Sequence, residues 1–122
     1  MAKQSFSESE WRSDSAFRAL CRAVLSCQNE AELADFLRDA ATLSELKEMS
    51  ERWAIVRDLA TGKSYVDVSE RTGASTATVT RVARFLFDGT GGYRQALASL
   101  GLTSQHHRRH SRREKTARLR RR

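Results

Sequence analysis

Apolar residues recur every three or four positions along most of this chain, with polar residues between them, and almost no stretch shows the strict alternation of a strand. Phe17, Leu20, Cys21, Val24 and Leu25 share one face, which predicts a helix over about 15–27 opened by Asp14 or Ser15. Asn29 is placed to cap a second helix, in which Leu33, Phe36, Leu37 and Ala40 repeat the pattern. The run Thr42-Leu43-Ser44-Glu45 has a hydroxyl at the cap and a carboxylate three residues on, the spacing of a capping box. A long helix over about 43–61 follows, striped by Leu43, Leu46, Met49, Trp53, Val56 and Leu59 and closed by Gly62. Ser64 caps a short helix, with Asp67 in its first turn, that reaches Thr72 and stops at Gly73. Ser75 caps a fifth helix whose inward side carries Val79, Val82, Ala83 and Leu86, and Gly89, Gly91 and Gly92 interrupt it. A last short helix from Tyr93 to Leu100 offers Tyr93, Ala96, Leu97 and Leu100. The expectation is an all-α protein of six helices without an internal repeat.

Composition supports this reading. Proline is absent, and Ala, Leu, Glu and Arg dominate, so helix propensity is high in most windows. At 122 residues the chain fits one domain, and a helical unit of that size has only a thin core unless it associates. The organisation expected is a polar, flexible N-terminal arm over 1–14, a helical domain over 15–102 and a basic tail over 103–122. No stretch approaches the roughly 20 apolar residues of a membrane span. The start lacks the apolar run of a signal peptide, so a cytoplasmic, nucleoid-associated protein without a membrane partner is expected. Cys21 and Cys27 have no neighbouring His or Cys at metal-ligand spacing and are expected to be reduced, partly buried thiols.

Charge is divided unevenly. From Gln105 onward nine Arg or Lys face only Glu114, whereas residues 1–104 hold thirteen basic against fourteen acidic side chains. A near-neutral body therefore carries a tail of about eight positive charges, too dense in one sign to pack and expected to be disordered alone. Arg108, Arg109, Arg112, Arg113, Lys115, Arg118, Arg120, Arg121 and Arg122 suit a nucleic-acid arm that makes salt-sensitive phosphate contacts. His106, His107 and His110 belong to the same arm, since the surrounding arginines repel a metal cation. No metal site and no cofactor are expected.

The stretch over about 64–87 fits a helix-turn-helix, in which a first helix with an inward apolar residue meets a second through a glycine with positive φ. Val68, Gly73, Val79 and Val82 stand at the required spacing, and Ala74 suits the cramped position after the turn. Thr72 departs from the pattern, because an apolar residue is more usual there. The second helix then presents Ser75, Thr76, Ala77, Thr78, Thr80, Arg81 and Arg84 as candidate DNA contacts. Short side chains let a helix approach the floor of the major groove, where methyls meet thymine methyls and hydroxyls or guanidinium groups reach base edges and phosphates.

The order of these elements, and above all "ERWAIVRDLATGKSYVDVSERTGAS" and "TATVTR", resembles the Trp repressor family and its YerC/YecD-like branch over about residues 16–100. The resemblance implies a helix-turn-helix over about 64–87 and an intertwined homodimer that offers paired recognition helices to double-stranded DNA at a palindromic operator. Two such readers lie about 34 Å apart, one DNA turn. The many large apolar residues for so small a chain, among them Phe17, Leu25, Phe36, Leu37, Trp53, Phe85 and Phe87, agree with burial by a second copy.

Members that bind tryptophan hold it with two arginines, a threonine before the central helix, and a glycine and a serine on the recognition helix. Arg52, Arg81 and Thr42 match the first three, while Val82 and Phe85 stand at the glycine and serine positions. An isopropyl group and a phenyl ring fill space that an indole needs, and Phe85 cannot accept a hydrogen bond from a ligand ammonium. Tryptophan is therefore not the expected effector, and any other effector is left open. Arg52 has a second reading as the partner of Glu48 or Glu51 in an ion pair.

Two functions of different kind suit these features. The first is a DNA-binding transcriptional regulator, a repressor by analogy. The second is a structural nucleoid- or RNA-associated protein that acts through its tail. Catalysis finds no support: the histidines all lie in the tail, and no glycine-rich phosphate loop or carboxylate cluster follows a strand.

Overall fold

The computed structural model describes residues 6–102. The expected basic tail over 103–122 and the first five residues of the expected arm lie outside the described residues. Six α-helices make up the architecture: α1 Ser15–Ser26, α2 Glu30–Ala40, α3 Leu43–Ala60, α4 Tyr65–Thr72, α5 Thr76–Asp88 and α6 Gly92–Ser99. No strand occurs among the described residues, and none of the described helices is long and apolar enough to cross a membrane.

The chain divides into two compact units, one over residues 1–46 and one over residues 47–122. In the first unit, residues 6–14 carry more structure than the flexible arm expected of them. A turn leads into a 3-10 helix, Trp11–Ser13, and the Phe17 ring takes Phe6 and Trp11 edge-on, at centroid separations of 5.6 and 5.7 Å. Two aromatic rings within a dozen residues of α1 supply the apolar contact that the polar composition concealed. The helix starts follow their caps. Asp14 accepts from the Phe17 backbone N–H at 2.9 Å, and Asn29 accepts from Glu32 N–H at 2.9 Å. At Thr42 the capping box closes in both directions: Thr42 N–H donates to Glu45 Oε1 at 3.0 Å, and Glu45 N–H donates to Thr42 Oγ1 at 3.1 Å.

Those caps form helices without burying them. Neither α1 nor α2 contains a buried residue, and Leu25, on the predicted apolar face of α1, is 82% exposed. Cys21 is likewise exposed rather than partly buried, and Cys27 is half-buried.

The second unit holds the core, made by Ile55, Val56, Leu59 and Ala60 of α3, Val68 of α4, Val79, Val82, Ala83 and Leu86 of α5, and Leu97 of α6. Trp53 and Tyr93, half-buried with ring centroids 6.3 Å apart, close one side of it. Burial of each such side chain contributes about 1.5–3 kcal/mol, so this cluster holds α3, α4, α5 and α6 together. The α3 stripe read from periodicity is partly displaced: Leu43 and Met49 are exposed, while Ile55 and Ala60 are buried. Apolar residues occupy several faces of α3, and the buried one is chosen by where α4 to α6 supply partners. Leu100 of the predicted α6 face is exposed for the same reason, as α6 ends at Ser99.

Candidate nucleic-acid interface

The two-helix element is built from its turn outward. Gly73 ends α4 at φ 76°, the left-handed conformation that a side chain disfavours. Ser64 caps α4 by accepting from Asp67 N–H at 3.1 Å, and Ser75 caps α5 by accepting from Thr78 N–H at 3.1 Å. Val68 and Val79 are fully buried, and Val82, Ala83 and Leu86 continue the anchor along α5.

Hydroxyl groups pin the turn in a way that periodicity does not disclose. Ser69 Oγ donates to the Ala74 carbonyl at 2.6 Å, and Thr72 Oγ1 donates to the Val68 carbonyl at 2.7 Å while accepting from Ala74 N–H at 3.3 Å. Thr72 therefore belongs at its half-buried position, because its oxygen accepts from the Ala74 N–H, which an apolar side chain would leave unpaired. Asp58 of α3 adds a tie to α4, accepting from Arg71 Nε at 3.2 Å with Lys63 Nζ 3.9 Å away. The separation of thirteen positions between Asp58 and Arg71 puts this pair beyond any local sequence rule.

With α5 anchored inward, Ser75, Thr76, Ala77, Thr78, Thr80, Arg81 and Arg84 are all exposed. Arg81 and Arg84 have no ion-pair partner among the described residues, and α5 carries no acidic side chain before Asp88. Residues 47–104 hold eight basic against six acidic residues, whereas residues 1–46 hold five against eight. The part of the body that bears α5 thus has the more positive charge balance.

The residues matched to a tryptophan pocket are differently engaged. Val82 is buried in the core at 4% exposure, and Phe85 is 58% exposed. The Thr42 hydroxyl is taken by the capping box. Arg52 and Arg81 are exposed, and Glu51 pairs with Lys47 at 4.0 Å, so Arg52 does not make the Glu48 or Glu51 pair that its position allowed. A groove of about 540 Å³ opens instead beside Arg57, Asp58, Lys63, Arg71 and Leu102, and none of the five matched residues lines it.

Comparison with known proteins agrees with this geometry. The family described as Trp repressor protein matches residues 15–101. The uncharacterized protein YerC of Bacillus subtilis is 36% identical over 78 residues, which cover 64% of this chain and 75% of that protein. A TrpR-like protein from Eubacterium eligens has a crystal structure similar to this chain with TM-score 0.70 and 36% identity, over 75% of this chain and 95% of that one. A candidate Trp repressor from Staphylococcus aureus gives TM-score 0.74 at 28% identity, over 81% and 99%. With a family match running from the start of α1 to Gly101 and a helix-turn-helix geometry closed at Gly73, this chain belongs to the Trp repressor family.

Proposed function

We propose that this protein is a sequence-specific DNA-binding transcriptional regulator, a repressor, that reads a palindromic operator as a homodimer and does not depend on tryptophan. One observation carries the reading: α5 is anchored by four buried residues and leaves Ser75, Thr76, Ala77, Thr78, Thr80, Arg81 and Arg84 exposed on its other sides. A helix so held presents short side chains and unpaired guanidinium groups, the combination that enters a major groove.

Dimerisation is supported by the apolar residues that the chain leaves uncovered. Leu20, Leu25, Leu43 and Met49 are exposed on helices that are regular and well capped. Four such side chains on α1 and the start of α3 are more than isolated surface leucines, and a second copy offers the surface to bury them. Independence from tryptophan is supported by the burial of Val82 and by a phenyl ring at position 85. Calorimetry is expected to find no saturable micromolar binding of tryptophan, and saturable binding contradicts that part of the reading.

The basic residues from Arg108 to Arg122 act in this proposal as an auxiliary arm that adds phosphate contacts. Selection from random double-stranded DNA, by protein lacking residues 104–122 at about 150 mM salt, tests the whole reading, because weak phosphate-only binding is suppressed there. A palindromic motif is expected. Absence of any enriched sequence, together with binding by the complete chain that ignores sequence, would favour the nucleoid- or RNA-associated alternative.

A further inference from the structure

We propose that the middle of the recognition helix reads A·T pairs through methyl groups, Ala77 and Thr80 meeting the C5-methyl of thymine, and that threonine hydroxyls do not donate to bases there. The inference rests on the DNA-binding reading above and adds the base class that α5 selects.

A threonine hydroxyl has one hydrogen to give. Thr80 has already given it: its Oγ1 donates to the Thr76 carbonyl at 2.9 Å, one turn back along α5. What exposed Thr80 offers a partner is its Cγ2 methyl and a lone pair on oxygen. Ala77, three residues earlier on the same surface, offers a methyl alone. Together they make a patch without a hydrogen-bond donor on the side of the helix away from buried Val79, Val82, Ala83 and Leu86.

Donors lie on either side of this patch. Thr76, one turn before Thr80, carries one hydroxyl, and Ser75 Oγ and Thr78 Oγ1 are 3.0 Å apart and share one bond, so one of their two hydrogens is free. Toward the C-terminus stand the guanidinium groups of Arg81 and Arg84. The major-groove edge of guanine shows only the acceptors O6 and N7, which a donor-free patch leaves desolvated and unpaired. An A·T pair fits both features: thymine supplies a methyl for apolar contact, and the adenine N6 amino group supplies a donor for the Thr80 lone pair. Cytosine supplies a donor but no methyl. The half-site is therefore expected to hold an A·T step at its middle, flanked by positions where serine, threonine or arginine donors accept guanine.

The test uses the full chain and a duplex it selects from random DNA at about 150 mM salt. Deoxyuridine replaces each thymine of the half-site in turn, which removes only the methyl, and Kd is measured by fluorescence anisotropy for the wild type, Thr80→Ser and Thr80→Val. Removing one buried methyl corresponds to a loss of about fourfold, or about 0.8 kcal/mol. The expected result is such a loss for the wild type at one or two thymines, a loss of the same size retained by Thr80→Val, which keeps the methyl, and its disappearance at one of those thymines in Thr80→Ser, which lacks it. Position 80 is exposed, so both variants are expected to fold, which their melting curves check.

Indifference of the wild type to deoxyuridine, or a deoxyuridine loss that Thr80→Ser retains at every thymine, overturns methyl reading and leaves DNA binding intact. A selected half-site whose middle is G·C does the same. Failure to select any sequence overturns the DNA-binding reading itself, and methyl reading falls with it.

Discussion

The two units of this chain are both helical and both well capped, yet only one of them has an interior. In residues 47–102 four helices share a core around Leu59, Val79 and Leu86, and α5 is fastened to it. In residues 6–46 every α-helix start is satisfied by Asp14, Asn29 or Thr42, and no side chain is fully buried. The difference separates two sources of order. Caps and propensity decide where a helix begins, but they supply only about 1 kcal/mol each, and tertiary burial decides whether it persists. The unit that bears α5 obtains that burial from its own residues, whereas the N-terminal unit displays amphipathic faces that the proposed dimer would cover.

The contrast can be broken most forcefully at the core. Leu86→Ala removes a side chain that is 1% exposed and is expected to cost about 3 kcal/mol of stability, a large shift in the thermal midpoint. The same truncation at Leu25 should cost far less in dilute protein. A similar loss at both positions would mean that the N-terminal helices are as firmly packed as the core.

Placing a carboxylate on the uncovered face sharpens the comparison. Leu25→Asp buries an unpaired charge in the proposed dimer, and self-association measured by sedimentation equilibrium is expected to weaken more than about tenfold. Unchanged association would show that α1 faces solvent in the dimer as well.

Gly73→Ala probes the turn that positions α5. No atom lies within 4 Å of the added Cβ, so the expected loss of about 1 kcal/mol comes from the left-handed backbone alone. A neutral result in chemical denaturation would mean that the turn relaxes without strain.

The smallest effect belongs to the N-terminal unit. The Thr42 backbone N–H, followed by the Thr42 side chain, holds the Glu45 carboxyl below its ordinary value of 4.5. A lowered folded-state pKa contributes stability that is present above the ordinary value and is lost as pH falls through the lowered one. Glu45→Gln keeps the capping geometry and is expected to flatten the loss of helicity below about pH 4.5 that circular dichroism should record in the wild type. An unchanged acid limb would assign that loss to other carboxylates.

Much of the reading unit was legible in the sequence because each of its signals is local. Ser64, Gly73 and Ser75 mark the ends of α4 and α5, and the inward set Val79, Val82, Ala83 and Leu86 follows from helical period alone. What was not legible depends on distance along the chain. The Asp58–Arg71 pair joins α3 to α4, and Ile55 and Ala60 displace Leu43 and Met49 as the buried part of α3 because α4 to α6 bring their apolar residues to that end. Period likewise shows that α1 has an apolar stripe but not which chain covers it. The donors of Ser69 and Thr72 could have been suspected, since both hydroxyls lie within reach of a turn, but composition gives no sign of which carbonyl they choose.

The central claim is that the exposed side of α5 selects DNA sequence, and it is tested most directly by the double variant Arg81→Ala, Thr78→Ala on a duplex selected by the wild type. Selective binding is expected to weaken by about 1–3 kcal/mol for each lost base contact, with the oligomeric state unchanged. An unaltered footprint, protected at the same positions and at the same protein concentration, would contradict the assignment of α5 as the reading helix.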